Sequence, residues 1–142
     1  MRACSTWQPG PADPIMDREG LDLWRIAIDF SPANRLDSLL ALLSAEERAR
    51  AGRFTAADAR TRFITVRAAL RDILSRYLAS DRLDVPFASG PHGKPALAGS
   101  DLAFNLAHSG GMALVGVARG TEIGVDIDKG KTLIVRLTGQ TD

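Results

Sequence analysis

The apolar positions of the chain change their spacing once. Across residues 36–78 they recur every three or four positions, whereas after Pro86 they fall in short runs separated by Gly, Pro, Ser and Asn. The first spacing is typical of amphipathic helices and the second of antiparallel strands. Residues 21–30 alternate apolar and polar side chains and predict a further strand. We therefore expect an α+β fold, with a small antiparallel sheet packed against one long and one or two short helices.

Two short helices are predicted before the long one. Residues 36–43 carry leucines at the spacing of a short amphipathic helix. Ser44 followed by Glu47 has the capping-box pattern, in which each side chain accepts a hydrogen bond from a backbone amide at the start of a helix. We expect this second helix to end near Gly52, because glycine has a permissive backbone.

The long helix is predicted to open at Thr55, an N-cap candidate with Asp58 three residues later. One buried stripe is expected from apolar residues spaced by three and four, namely Phe63, Val66, Leu70, Ile73, Leu74, Tyr77 and Leu78. Three arginines lie on a different face, which would leave them available to solvent or a ligand: Arg60, Arg67 and Arg71.

Three strands are predicted in the second part of the chain, at residues 104–108, 112–118 and 122–128. Residues 109–111 and 119–121 link them, and both links contain glycine. Such short links are typical of hairpins, so we expect the three strands to be antiparallel neighbours.

The 142 residues are 45% hydrophobic and 25% charged, as in an ordinary globular domain. Residues 1–20 contain three prolines and no continuous apolar run, which predicts a disordered lead and no signal peptide. Cys4 is the only cysteine, so an intramolecular disulfide is excluded and a reducing compartment, the cytoplasm, is expected. No apolar stretch has the roughly 18 residues that a membrane span needs.

The net charge of +1 conceals a basic segment. Nine of the fifteen arginines lie within residues 48–82, against five acidic residues within residues 46–81. A solvated helix face is one interpretation and an anion site is the other. Nucleic acid is disfavoured because the chain lacks a long basic run and an aromatic platform, so a phosphorylated small molecule fits better.

Asp126 and Asp128 are candidates for binding a metal ion. They lie two residues apart in a predicted strand and share one face of it, with Cα atoms about 6 to 7 Å apart. Both carboxylates can converge on one hard cation, and the absence of a His or Cys partner favours Mg²⁺ or Mn²⁺ over zinc. The alternative is a strand end whose polar face is solvated.

His108 and Lys94 are candidates for binding phosphate. His108 ends a predicted strand and precedes a loop with exposed amides and a hydroxyl, at residues 109–111. Lys94 lies between Gly93 and Pro95 in a predicted turn. The alternatives are a histidine that caps a turn and a lysine that is only exposed.

Three motifs follow one another in a familiar order: Gly93-Lys94-Pro95, Phe104-Asn105-Leu106-Ala107-His108-Ser109-Gly110 and Ile123-Gly124-Val125-Asp126-Ile127-Asp128. In order and spacing they resemble the motifs of 4'-phosphopantetheinyl transferases of the type that activates peptide and polyketide synthases. The predicted helices upstream are similar to the family's basic segment and following helix. The resemblance covers residues 21–128 and implies the amino-terminal lobe of the family's two-lobed fold, followed by an atypical tail at residues 129–142.

The resemblance implies that Arg62 and His108 contact the 3'-phosphate of coenzyme A. Arg50, and Arg48 with it, would add positive charge from the preceding helix. Guanidinium groups suit phosphate because they stay charged and donate in a planar fork.

The resemblance implies further roles downstream. Gly93 and Lys94 would lie along the adenine and phosphate edge, and Ala107 would bring strand backbone beside the nucleotide. Asp126 and Asp128 would hold magnesium against the pyrophosphate. The family often has glutamate as its second carboxylate, so the shorter Asp128 would reach the metal through water.

The reaction implied is attack by a serine hydroxyl of an acyl or peptidyl carrier protein on the β-phosphate of coenzyme A. In the family a second lobe supplies a Trp-x-x-Lys-Glu motif, whose glutamate completes the metal site and acts as base. This chain has no Lys-Glu pair and stops fourteen residues after Asp128, so we expect a truncated transferase without a catalytic base of its own. The alternatives are a half that pairs with another chain or with itself, a non-catalytic coenzyme A or nucleotide-binding half-domain, and a remnant without function.

Overall fold

The computed structural model describes residues 10, 11, 14, 20–31, 36–89, 95–120, 122–128 and 131–137. Within them the elements are β1 (Leu21–Ala27), α1 (Leu36–Leu40), α2 (Ala45–Gly52), α3 (Ala57–Leu78), a 3-10 turn (Arg82–Asp84), β2 (Phe87–Ser89), β3 (Pro95–Leu97), β4 (Leu102–Ser109), β5 (Met112–Arg119), β6 (Glu122–Asp128) and β7 (Lys131–Leu137). The predicted α+β class is confirmed, with a small antiparallel sheet and three helices of which one is long.

The chain divides into two compact units. The helical unit comprises Ile26–Val85, and the strand unit comprises Met1–Arg25 with Pro86–Asp142. None of the described helices combines the length and the apolar character that crossing a bilayer requires.

In the strand unit, β1, β5 and β4 form a three-stranded sheet in that order. β4 and β5 are antiparallel, with a register that runs from Leu102 opposite Arg119 to Ser109 opposite Met112. Gly110 in their connection has a φ of 56°, a left-handed conformation that glycine adopts without a steric penalty. The predicted hairpin between these two strands is confirmed.

The predicted hairpin between β5 and β6 is wrong, because β6 pairs with β7 in a separate two-stranded sheet. The cause lies at Gly116 in β5, where a Cβ atom would be 2.4 Å from Val125 Cγ2 and 2.8 Å from Ile123 Cδ1 of β6. Since Gly116 has no side chain, β6 lies against the face of β5 instead of extending its sheet. β7 falls within residues 129–142, where the sequence predicted no strand.

The helical unit has a core of buried side chains from Leu43, Ala51, Ile64 and Ala68, packed against half-buried leucines of α1. α1 ends at Leu40, three residues earlier than predicted. The helix predicted after Ser44 is confirmed as α2, and it ends at Gly52 as expected.

The long helix is confirmed as α3, but its predicted start is wrong. Ala56 is the N-cap residue and its side chain cannot accept a hydrogen bond, so Thr55 lies one position too early to serve as the cap. The buried stripe is confirmed at Leu70, Ile73 and Leu74. Its other predicted members are half-buried: Phe63, Val66, Tyr77 and Leu78.

Candidate functional site

The predicted site residues are divided between the two units. Arg50 and Arg62 belong to the helical unit, in α2 and α3. Ala107 and His108 lie at the end of β4 in the strand unit, and the backbone of Asp126 and Asp128 lies in β6. Gly93 and Lys94 lie outside the described residues, so their predicted roles stay predictions.

A buried carboxylate, Glu47, connects α2 with α3. Its Oε1 accepts a hydrogen bond from the amide of Ser44 at 2.9 Å and one from Arg71 Nε at 2.6 Å. Its Oε2 accepts one from Arg67 Nη1 at 2.9 Å. The Glu47 amide in turn donates to Ser44 Oγ at 3.1 Å, which completes the predicted capping box.

Glu47 stays ionised because its donors outweigh its burial. Burial, the largest single influence, raises the pKa of the Glu47 carboxyl, but hydrogen bonds from Arg71, the Ser44 amide and Arg67 together bring this pKa below its ordinary value. The Glu47 side chain is only 8% exposed, and that of Arg71 only 6%. Glu47 and Arg71 therefore form an ion pair that is largely shielded from water.

The prediction that Arg67 and Arg71 remain available to a ligand is wrong. Both donate to Glu47 and share its single negative charge, and Arg71 also donates through Nη1 to the carbonyl of Arg82 at 2.9 Å. Helical periodicity placed these arginines away from the apolar stripe, but a buried acidic partner on α2 draws them into the protein. Their charge serves the join between the helices.

Arg50 has a different environment. Its side chain is exposed, and its guanidinium carbon lies 5.0 Å from the centroid of the Phe63 ring. Phe63 also contacts the Phe54 ring, with centroids 5.4 Å apart. Among the described residues no carboxylate forms an ion pair with Arg50, so its positive charge is uncompensated there.

Arg62 is arranged similarly. Its guanidinium carbon lies 5.7 Å from the centroid of the Phe30 ring. Its Nε is buried and has no hydrogen-bond partner in the part of the chain that the structure describes. A buried donor without a partner is uncommon and often indicates a group that has not been placed, such as a water, an ion or a ligand.

Three further arginines in the described ranges are paired with carboxylates. Asp72 accepts from Arg76 at 2.9 Å and from Arg82 at 3.2 Å, and Asp101 accepts from Arg119. Arg50 and Arg62 have no such ion pair among the described residues, and unlike Arg48, Arg53 and Arg60, which have none there either, each lies against an aromatic ring. Their guanidinium donors and charge are available to an anion.

The end of β4 carries the second part of the predicted site. Ala107 is half-buried opposite Leu114, and His108 is exposed opposite Ala113, one residue before the strand ends. An exposed histidine beside a glycine turn is accessible to a ligand.

The sequence did not single out Asn105, which fixes the backbone of β6. The Asn105 side-chain oxygen accepts a hydrogen bond from the Val125 amide at 2.9 Å, and Asn105 lies opposite Gly116 in the hairpin. Val125 directly precedes Asp126. Asn105 therefore fixes the position of the β6 backbone directly before Asp126, the first residue of the acidic pair.

For the acidic pair the structure describes only backbone. Asp126 lies opposite Leu133 and Asp128 opposite Lys131 in the pairing of β6 with β7, which confirms the predicted strand. The two side chains lie outside the described residues, so the metal site stays a prediction. Among the side chains that are described, no group of three potential ligands could hold a metal ion.

An open depression of about 610 Å³ lies at the far end of α3. Its walls include Leu42, Asp72, Ser80, Arg82 and Leu83. None of the predicted site residues lines it, and the depression is therefore not part of the candidate site.

The chain resembles curated proteins over most of its length, although no family model matches it. It is 40% identical over 127 residues to the 4'-phosphopantetheinyl transferase HetI of a Nostoc species, an alignment of 87% of this chain and 53% of that protein. It is 31% identical over 98 residues to the 4'-phosphopantetheinyl transferase ffp of Bacillus subtilis, covering 68% of this chain and 43% of that protein. The chain spans about half the length of the curated relatives it matches.

Proposed function

Because the chain belongs to the 4'-phosphopantetheinyl transferase superfamily, we propose that it binds coenzyme A as one lobe of such an enzyme. The substrate that receives the 4'-phosphopantetheine group is a serine of an acyl or peptidyl carrier protein. The observation that carries the proposal is the contrast among the arginines. Arg50 and Arg62 lie against aromatic rings and have no carboxylate partner among the described residues, while Arg67 and Arg71 share the carboxylate of Glu47.

In this proposal Arg62 and His108 bind the 3'-phosphate of coenzyme A, and Arg50 adds positive charge. A guanidinium suits the role because it remains protonated and donates to two phosphate oxygens at once. The buried Nε of Arg62, which lacks a partner among the described residues, supports a ligand at this position.

Gly93, Lys94 and Ala107 complete the nucleotide site in the proposal. Gly93 and Lys94 lie along the adenine and phosphate edge. Ala107 brings the backbone of β4 beside the nucleotide, for which its small side chain leaves room.

Asp126 and Asp128 are the proposed ligands of Mg²⁺, with Mn²⁺ as the alternative ion. The donor set fits, because two carboxylates and water are the oxygen ligands that these hard cations prefer. The Asp128 side chain is shorter than the glutamate that the family often has at this position, so it would reach the ion through water. When bound, the ion neutralises negative charge that develops on the pyrophosphate oxygens.

Transfer forms a bond between the serine oxygen and the β-phosphorus of coenzyme A and releases adenosine 3',5'-bisphosphate. The serine proton must go to a general base. We assign that base to none of the residues of this lobe and propose that it lies in the second lobe of the enzyme. The lobe described here contributes binding and orientation of the cofactor.

The role of Arg62 is tested by comparing Arg62→Ala with the unchanged 142-residue chain. The variant should bind coenzyme A about ten- to a hundredfold more weakly, the range for loss of charge-assisted hydrogen bonds. Its affinity for 3'-dephospho-coenzyme A should not change. Isothermal titration calorimetry measures both affinities, and Arg60→Ala on the same helix is the matched control. An equal loss for the two ligands would show that Arg62 does not read the 3'-phosphate.

The role of Asp126 is tested by the magnesium dependence of coenzyme A binding. In Asp126→Ala, added Mg²⁺ should increase the affinity less than it does in the unchanged chain, because one carboxylate has been removed from the ion. Asp37→Ala, an exposed change in α1, is the control. If calorimetry gave the same magnesium effect in all three chains, Asp126 would not be a metal ligand.

A further inference from the structure

We infer that Phe30 and Phe63 are positioning residues for the anion site. Each ring restrains the side chain of one arginine and does not cancel its positive charge. Phe30 holds Arg62, and Phe63 holds Arg50. The inference rests on the proposed function, since it takes the 3'-phosphate of coenzyme A as the anion. The two phenylalanines do not bind coenzyme A themselves, but they orient the arginines that bind its 3'-phosphate.

The geometry of a guanidinium explains why an aromatic ring suits this task. The five N–H donors of an arginine lie in the plane of the group and point outward from its edge. A ring about 5 to 6 Å from the guanidinium carbon attracts the cation through its π electrons and needs none of those donors. The two distances, 5.0 Å for Arg50 and 5.7 Å for Arg62, fall in this range.

Carboxylate partners act differently on neighbouring arginines. Arg67 lies 5.3 Å from the same Phe63 ring, but its Nη1 is bound to Glu47. An ion pair of this kind uses donors at the edge of the guanidinium and cancels its charge. Phe63 therefore lies between a structural arginine and one whose charge is still available.

The donors of Arg62 differ in exposure. Its Nε is buried, while its terminal Nη atoms are not among the buried atoms that lack a partner in the described ranges. Since Phe30 lies against the guanidinium group, the Nη donors are the part of Arg62 that remains for a phosphate. A restrained arginine loses less conformational entropy on binding than a mobile one.

The test is a double-mutant cycle read through two ligands. Phe30→Leu removes the ring and keeps apolar bulk, and it should weaken binding of coenzyme A about two- to thirtyfold, the range of a cation–π contact. Affinity for 3'-dephospho-coenzyme A should stay unchanged. Phe30→Tyr should restore the binding, because it restores the ring. In an Arg62→Ala background, Phe30→Leu should have no further effect on either ligand.

The same cycle applies to Phe63 with Arg50, using Phe63→Leu, Phe63→Tyr and Arg50→Ala. Phe30→Met and Phe63→Met serve as second variants if a leucine variant does not fold, as judged by circular dichroism. An equal loss from Phe→Leu with and without the arginine would overturn the inference, and the proposed function would stand. An unchanged chain that does not prefer coenzyme A to its 3'-dephospho form would contradict the proposed function, and the inference would fall with it.

Discussion

In the helical unit a buried carboxylate joins α2 to α3, whereas in the strand unit β6 rests against β5 at a residue without a side chain. Glu47 satisfies donors from Ser44, Arg67 and Arg71. At Gly116 the contact is apolar, and the polar bond nearest to it is the neutral one from the Val125 amide to Asn105. The connection of α2 to α3 thus includes buried charges, whereas the packing of β6 on β5 depends on shape.

This difference between the two units explains which residues remain available to bind a ligand. Because Glu47 is the buried carboxylate that pairs with arginines of α3, the charges it does not reach remain available, as at Arg50 and Arg62. The strand unit offers instead a rigid backbone, since Val115, Val117 and their neighbours in β5 are fully buried. A charged site and a rigid support are complementary requirements of a binding site.

The largest effect is expected from Glu47→Gln. The change removes the negative charge that Arg67 and Arg71 share and should destabilise the helical unit by about 3 to 5 kcal/mol, as in other broken buried ion pairs. Hydrogen exchange of the Leu70 amide in α3 measures the loss. Glu46→Gln, an exposed neighbour, should change stability by less than about 0.5 kcal/mol. Similar protection in both variants would show that the ion pairs do not hold the unit together.

A smaller effect is expected from Gly116→Ala. Its new methyl group would lie 2.4 Å from Val125 Cγ2, and overpacking of this kind costs about 1 to 3 kcal/mol. The Val117 amide should lose exchange protection. The same substitution at Gly52, where a Cβ atom would meet nothing within 4 Å, should be neutral or slightly stabilising because alanine favours helix. If both changes behaved alike, close approach at Gly116 would not determine the packing of β6.

The smallest effect is expected from pH. The pKa of Glu47 is lower in the folded protein than in the unfolded chain, so its stabilising contribution is complete above the ordinary glutamate value of about 4.3 and is lost as pH falls through the lower folded value. Acidification should therefore reduce protection at Leu70 more in the unchanged chain than in Glu47→Gln. Parallel pH profiles in the two chains would contradict a role for Glu47 ionisation.

Local patterns in the sequence predicted the three helices and the strands β1, β4, β5 and β6, but not β2, β3 or β7. The capping box of α2 spans four residues and was visible as Ser44 and Glu47, and the hairpin of β4 and β5 was visible from its glycine turn. The α+β class followed from the change in apolar spacing. Such features depend on residues that are close together along the chain.

Contacts between distant residues could not be predicted in the same way. Arg67 and Arg71 lie 20 and 24 residues from Glu47, and no spacing rule connects them. The position of β6 depends on Gly116 meeting Val125, which hydrophobic alternation cannot show. For the candidate site the sequence supplied Arg50 and Arg62 through the resemblance, but not the rings beneath them.

One signal for those rings was present. Phe63 and Arg67 are separated by four residues on α3, the spacing at which helical side chains meet. The apolar spacing alone placed Phe63 in the buried stripe of α3. Phe30 had no comparable signal, because its partner Arg62 lies on a different element.

Because Glu47 forms hydrogen bonds with Ser44, Arg67 and Arg71, the effect of a substitution at any one of these four positions depends on the residues at the other three. Loss of Arg67 or Arg71 deprives the Glu47 carboxylate of a donor, and loss of the Ser44 hydroxyl deprives the Glu47 amide of its acceptor. Loss of the carboxylate removes the charge shared by the buried Arg71 and the half-buried Arg67. Substitutions at these four positions are therefore non-additive, and a change at one of them during evolution favours compensating changes at the others.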